Sequence, residues 1–307
     1  MKKTHLPYTV SIIIPNWNGR NLLEKNLPSI ISACHGAEIV VSDDGSRDGS
    51  VEFLKRAYPD ITVVESTTNS GFSGNVNRGV ARARGDIVLL LNTDVRPDKN
   101  FLRPLLSHFE DPKIAAVGCL EESHEPQGTV RRGRGRARWI KGYFIHERGN
   151  VDAPDTAWVS GGSAAYRKSV WNELGGMDPI YNPFYWEDID LSYQMLKAGY
   201  GIRFERDSVV HHYHEEGAIK TDFSKNRIRT IAARNQFQFH WKNISSPSLI
   251  FAHAIWTPIR LLQSVVRGDW AMIRGYMMAI FRLPGIIDSR MRAARHWKLA
   301  DTDLFHS

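Results

Sequence analysis

Apolar side chains in this sequence gather into short dense runs that end abruptly at oxygen-bearing residues. The clearest is 85–94, GDIVLLLNTD, where five aliphatic residues from Ile87 to Leu91 stop at Asn92, Thr93 and Asp94. A continuous apolar run bounded by a glycine and a polar cluster predicts a strand covered on both faces. Residues 9–14 (TVSIII, closed by Pro15), 37–41 (AEIVV) and 61–65 have the same character. Between them Leu22, Leu23, Leu27, Ile30 and Ile31 recur at helical spacing, and helices are predicted near 50–58, 76–83 and 100–110. Strand alternating with helix predicts an α/β fold with a parallel sheet and right-handed crossovers. Such a sheet puts three polar clusters, Asn16 to Asn18, Asp43 to Ser46 and Asn92 to Asp94, at the edge where ligands bind. Alone, Asn-Thr-Asp after a strand fits a simple turn as well as a cation and phosphate site.

Beyond the apolar segment 114–119 regularity is lost. Residues 130–141, VRRGRGRARWIK, carry six positive charges and two glycines. That composition predicts a solvated mobile loop, or in the sharper reading a phosphate-contacting lid. Residues 158–166, WVSGGSAAY, return to strand-like content around a Gly-Gly turn at Gly162, where backbone amides could approach a ligand. A helix over 167–174 ends at Gly175-Gly176. In 184–196, FYWEDIDLSYQML, Glu187, Asp188 and Asp190 open an amphipathic helix. Carboxylates there can simply complement the helix dipole, or, beside aromatic rings such as Trp186 at a cleft, serve as a general base. After a short β pattern, His211, His212 and His214 supply imidazoles that are either structural or ligands for a cation begun by Asp94.

Composition adds three constraints. The 307 residues suffice for a full core and an appendage, and the two cysteines, Cys34 and Cys119, lack metal or scaffold spacing and read as core thiols of a reducing compartment. The N-terminal apolar run is too short for a signal-peptide core, and no window is expected to supply the roughly 18 apolar residues of a spanning helix, so a cytoplasmic location is expected. Charge is uneven: 226–307 hold 12 Lys and Arg against 4 Asp and Glu, leaving 28 against 29 elsewhere. This tail reads as helices in which His253, Arg260, Arg267 and Arg274 recur every seven residues, although Gly268 and Asp269 interrupt the run. A basic stripe on an anionic membrane surface and a helical subdomain packed on the core both follow from this pattern.

The segments SIIIPNWNG, VSDDGSRDGS, NSGFSGNVNRG, GDIVLLLNTD, SGGSAAYRKSVWNELGGMD, YWEDIDLSYQMLKAGY and SVVHHYH occur in the order and approximate spacing of glycosyltransferase family 2, which the chain resembles from 9 to about 217. The tail is similar to basic helical extensions of bacterial rhamnosyltransferase-like members of polysaccharide biosynthesis. The resemblance implies a GT-A fold, a catalytic domain over 1–225 and a helical region over 226–307. It implies an inverting transferase moving a sugar from a UDP- or dTDP-sugar, dTDP-rhamnose among them, to a saccharide or lipid-linked saccharide. Pro15, Asn16, Asn18, Asp43, Gly71, Asn77 and Asn92 would line the nucleotide. Asp94 and His212 would hold Mg2+ or Mn2+, Asp188 beside Glu187 would be the general base, and Gly162 and Trp186 would lie at the donor or acceptor sugar. Asn92 stands where many members carry an acid, which leaves the cation one negative charge fewer.

Two rival readings remain on the residues alone. A sugar nucleotidyltransferase would need a glycine-rich, lysine-bearing first loop, whereas this one is Asn16-Trp17-Asn18-Gly19. A nonenzymatic RNA- or polyanion-binding protein could use the Arg-Gly segment and the tail, but the acid-rich crevice suits a phosphate backbone poorly, and no nucleic acid partner is expected.

Overall fold

A computed structural model describes residues 8–125, 127–213 and 223–304. Four parallel strands, β1 (Val10–Asn16), β2 (Glu38–Asp43), β3 (Thr62–Glu65) and β4 (Ile87–Leu91), stand in the order β3-β2-β1-β4. Helices α1 (Arg20–Ala33), α2 (Ser50–Ala57) and α3 (Gly71–Arg82) connect them. All five residues of β4 are fully buried, but into two different cores. Ile87, Leu89 and Leu91 join one apolar cluster, while Val88 and Leu90 join that on the opposite face. Helices on both faces are the reason this strand has no polar alternation.

Past β4 the sheet becomes mixed. The chain continues through β5 (Val95–Pro97), α4 (Leu102–Ser107), β6 (Ile114–Glu125), β7 (Gly128–Arg132), the hairpin β8 (Gly135–Ile140) and β9 (Tyr143–Arg148), β10 (Ser163–Arg167), α5 (Lys168–Leu174), α6 (Glu187–Lys197) and β11 (Gly201–His212). Strand β10 inserts between β4 and β6, antiparallel to both. Strand β11 runs parallel to β6 and antiparallel to β5, with a register shift between Glu205 and Val209 that carries it past the polar stretch Arg206-Asp207.

Residues 130–141, expected as a solvated loop, are instead the end of β7 and the whole of β8. Four of the six charges meet acids that lie outside the segment. Arg131 meets Glu122 at 3.1 Å, Arg132 pairs with Glu125 and Arg138 meets Glu147 at 3.4 Å. Arg134 is 9% exposed and bonds the Asp155 carboxylate at 2.7 Å and the main-chain carbonyls of Asp155 and Asn150. Composition within a window registers the charges but not these acids.

Helix α7 (Lys225–Asn243) is knitted into the preceding framework, and α8 (Pro247–Val266), α9 (Trp270–Ile280) and α10 (Leu283–Ala294) form a layer outside it. Lys242 Nζ reaches Asp178 at 2.8 Å and Asp190 at 2.6 Å. Asn235 Nδ2 donates to the carbonyls of Tyr181, Phe184 and Tyr185, which fixes the turn leading into α6.

Two expectations for the tail are corrected. His253 and Arg260 face inward: the His253 ring lies 3.0 Å from the Gly142 carbonyl, and Arg260 covers the Tyr143 ring at 4.0 Å. The helix then stops at Gly268, whose φ is 67°, so Arg274 belongs to another helix and no single seven-residue basic stripe exists. Conversely, α8 is 20 residues long with a mean hydropathy of 1.4 over its best window, so among the described residues one helix is long and apolar enough to cross a membrane by length and composition. Its polar residues interrupt the sequence but collect on one helical face.

Candidate active site

The crevice forms where β1, β2 and β4 release the chain at their carboxyl ends. Asn16, 1% exposed, donates from Nδ2 to Asp43 Oδ2 at 2.7 Å, and the Ser46 amide donates to Asp43 Oδ1 at 2.9 Å. Asn18 adopts a positive φ of 50°, donates its amide to Ser46 Oγ and accepts from the Arg47 amide, lacing the first loop to the second. Pro15 precedes this turn in register with Ser42. Asp44, which the sequence did not single out, pairs with Arg78 at 2.9 Å and accepts from Ser70, tying the third loop to the second.

Gly71 and Asn77 lie on α3 in different settings. Gly71 has a φ of +75°, and a Cβ there would come within 2.6 Å of the Asn182 side chain, so glycine is required on both counts. Asn77, expected beside the nucleotide, commits both ends of its amide to Met177, Nδ2 to the carbonyl at 2.6 Å and Oδ1 to the amide at 3.0 Å. It is a clamp between α3 and the loop after α5, which corrects its assignment.

The end of β4 carries the centre of the site. Asn92 donates its amide to the Gly162 carbonyl at 3.0 Å, and its side-chain Oδ1 is buried with no hydrogen-bond partner among the described residues. A Cβ on Gly162 would lie 2.6 Å from Asn92 Nδ2, so the Gly-Gly turn lets the two chains close on each other. Asp94, 7% exposed, faces His212 with Oδ2 3.1 Å from Nε2. Behind the imidazole, Nδ1 lies 3.0 Å from Glu121 Oε1, a residue with no sequence signal because β6 and β11 are brought together only by the sheet. Burial alone would depress the His212 pKa, yet the two carboxylates outweigh it and raise it to about 9. His211 turns the other way, to Asp98 at 3.1 Å and to the His124 ring, and His214 lies outside the described residues.

A divalent cation fits this donor set. The 3.1 Å between Asp94 Oδ2 and His212 Nε2 matches adjacent ligands of one octahedral ion. The unpartnered Asn92 Oδ1 is the kind of hard oxygen that accepts a cation-bound water.

Helix α6 presents the acids. Asp188 Oδ2 accepts from the Gly161 amide at 3.0 Å, and Oδ1 accepts from the Ile189 amide at 2.8 Å. Burial pushes its pKa up, against the pull of these amides. Glu187, 6% exposed, is raised to about 8 by burial and by the neighbouring Asp188 charge. Asp190 diverges from the pair and points into the framework toward Lys242.

Trp186, expected at a sugar, is a core residue: it is 6% exposed, with ring centroids 5.1 Å from Phe239, 6.4 Å from Phe144 and 5.0 Å from His146. Its positive φ of 81° aims Glu187 and Asp188 instead. The outward ring at this turn is Tyr185, 41% exposed.

The sequence profile of Glycosyl transferase family 2 matches residues 11–175, which run from the second residue of β1 through β10 and α5 and include the Gly161-Gly162 turn. The chain belongs to this family. It is 28% identical over 216 residues to a pre-mycofactocin glycosyltransferase of Mycobacterium tuberculosis, covering 67% of this chain and 43% of that one. The chain therefore spans less than half the length of that relative. It is 25% identical to an O-antigen chain rhamnosyltransferase of Salmonella typhimurium, over 67% of this chain and 66% of that one. In fold it is similar to a mannosyltransferase of Pyrobaculum calidifontis solved with GDP-Man and Mn2+, with a TM-score of 0.57, 19% identity and coverage of 95% and 87% of the two chains. It is also similar to GalNAc-T7, solved with UDP, GalNAc and Mn2+, with a TM-score of 0.61, 20% identity and coverage of 76% and 47%. The architecture is the GT-A fold: a mostly parallel sheet flanked by helices, followed by a helical region.

Proposed function

We propose that this family 2 glycosyltransferase moves a sugar, with inversion, from a UDP- or dTDP-sugar to a hydroxyl of a saccharide or lipid-linked saccharide, at the cytoplasmic face of a membrane. One observation carries the reading. Two adjacent glycines join the halves of the site, since Gly161 holds Asp188 and Gly162 holds Asn92 at the end of β4. A base on α6 is thereby fixed relative to the Asp94-His212 pair.

In the mechanism, the nucleoside occupies the crevice of Pro15, Asn16, Asn18 and Asp43. The Asp43 carboxylate is used on both oxygens, but a carboxylate has about four lone-pair sites and retains capacity for a nucleobase N–H. Asp94 and His212, with Asn92 beside them, would hold Mg2+ or Mn2+, which when bound neutralises charge developing on the leaving diphosphate. Asp188 takes the proton of the acceptor hydroxyl. The acceptor oxygen forms its bond to the anomeric carbon as the bond from that carbon to the diphosphate oxygen breaks on the opposite face, and the nucleoside diphosphate leaves with the electron pair. Glu187, kept protonated near neutrality by burial, adds no second charge beside the base.

The mycobacterial N-acetylglucosaminyl-diphospho-decaprenol L-rhamnosyltransferase and the Salmonella enzyme, both rhamnosyltransferases by name, support deoxyhexose transfer to a lipid-linked saccharide. The test is a panel of nucleotide sugars scored for thermal stabilisation and for radiolabel transfer to diphospholipid-linked acceptors. Stabilisation by one UDP- or dTDP-sugar with metal-dependent transfer is expected; turnover undiminished after exhaustive EDTA treatment would remove the cation from the mechanism.

A further inference from the structure

Helix α8 is amphipathic in the wrong sense for a water-facing helix. Its buried residues are the polar His253, Thr257 and Ser264, which face the framework: Thr257 Oγ1 lies 2.8 Å from Tyr143 Oη. Its outward residues are Phe251, Ile255, Ile259, Leu262 and Val266, of which Phe251 is 69% and Val266 81% exposed. The apolar stripe continues through both turns. Helix α9 buries only the small residues Ala271, Gly275 and Ala279, and exposes Trp270, Met277 and Phe281. Helix α10 continues with Ile287 and Met291. Fourteen of the seventeen large exposed apolar residues among those described fall between Ile250 and Met291. Patches of this extent on a soluble surface mark a binding face.

We propose that α8, α9 and α10 form an interfacial plate that seats the protein on an anionic lipid bilayer, with α8 lying in the membrane plane rather than crossing it. The proposal rests on, and deepens, the reading that the acceptor is lipid-linked. Length would permit α8 to span, but its polar face is bonded to the β8–β9 hairpin: His253 to Gly142, Thr257 to Tyr143, Trp256 under Lys141 at 4.0 Å and Arg260 over Tyr143. A crossing helix would have to break these contacts.

Charge identifies the occupant. Exposed Arg267, Arg274 and Arg282 border or interrupt the stripe. The only acids on or between α8, α9 and α10 are Asp269 and Asp288, and these already pair with Arg229 and Arg292. A two-fold pair of these faces would bring like charges together with no acid to answer them. Anionic headgroups above a hydrocarbon layer satisfy both the arginines and the aliphatic side chains. The apolar face thus replaces the basic stripe as the principal contact.

Flotation of the full chain with vesicles tests this. Wild type is expected to float with phosphatidylcholine–phosphatidylglycerol vesicles and less with phosphatidylcholine alone. Phe251→Glu with Leu262→Glu, or Phe281→Glu alone, should cut partitioning by roughly tenfold or more, with far-UV circular dichroism and thermal stabilisation by nucleotide unchanged. Without an added charge, Trp270→Phe should remove a vesicle-induced blue shift present in wild-type tryptophan emission. Wild type remaining unbound to both vesicle types would overturn the proposal, as would substitutions that dissociate a dimer in sedimentation equilibrium while leaving flotation intact. Transfer to a soluble acceptor without flotation rejects only the membrane plate; flotation without nucleotide stabilisation rejects only the transferase reading.

Discussion

Glu121 Oε1 lies 3.0 Å from Nδ1 of His212, on the side of the imidazole opposite Asp94. The two residues come from neighbouring strands and make a carboxylate–imidazole pair that fixes both the orientation of the ring and the nitrogen offered to the crevice. Such an outer carboxylate raises the basicity of a ligating histidine and holds its tautomer.

Glu121→Gln is therefore expected to weaken Mn2+ binding by about 10- to 100-fold, measured by electron paramagnetic resonance titration in the presence of nucleoside diphosphate. Unaltered Mn2+ affinity would remove Glu121 from the site.

Asp188→Asn should lower transfer by about 10²- to 10⁴-fold, the usual contribution of a positioned base. Nucleotide-induced stabilisation should survive, because the nucleotide crevice lies on other loops and the single asparagine oxygen can still accept from one of the two amides, Gly161 or Ile189, that bond the separate carboxylate oxygens. Because burial raises the Asp188 pKa, the acidic limb of the wild-type rate profile should lie above the ordinary carboxylate range. A limb at the ordinary carboxylate value would contradict the assignment.

The Glu187 pKa of about 8 in the folded protein exceeds its ordinary value of 4.5, so between these pH values the folded state holds a proton that the unfolded chain has released. Its contribution to stability is fully present below about pH 4.5 and lost as pH rises through about 8. Glu187→Gln should flatten this part of the dependence and raise the melting temperature most at alkaline pH. Parallel melting curves for the two proteins from pH 5 to about 9 would refute this account.

Lys242 is nearly buried between Asp178 and Asp190, and removing it strands two carboxylates. Lys242→Met should cost about 3–5 kcal/mol in denaturant unfolding. A loss below about 1 kcal/mol would show that α7 is not anchored to α6 through this lysine.

Gly162→Ala would push a methyl group against Asn92, 2.6 Å away in the unrelaxed geometry. The fold should persist while transfer falls by about 10²-fold, as happens when reacting groups are displaced by about 1 Å. Unchanged kcat/KM would separate the Gly-Gly turn from the chemistry.

Local pattern was enough to read the first half of the fold. Every strand from β1 to β4 was visible as an apolar run, β4 most plainly because burial on both faces leaves it no polar position, whereas β3 at the sheet edge is only half-buried. The candidate site was legible where a polar residue directly follows such a run, as Asp43 and Asn92 to Asp94 do, or opens a helix, as Glu187 and Asp188 do. It was not legible where function or burial depends on a partner distant along the chain. Arg134 reads as a solvated charge until Asp155 is beside it, and Asn77 reads as a ligand until Met177 takes both ends of its amide.

By itself, then, the sequence determined the alternating α/β architecture and its family, and it singled out Asp94, Asp188 and His212 as candidates, because these follow from periodicity and from the order of motifs along one chain. Tertiary structure alone decided that Glu121 stands behind His212, that Trp186 is core, and that α8 turns its polar residues inward and its apolar residues out. Periodicity locates a helical face, but the direction in which that face points is set by what packs against it, and here the β8–β9 hairpin claims the polar side.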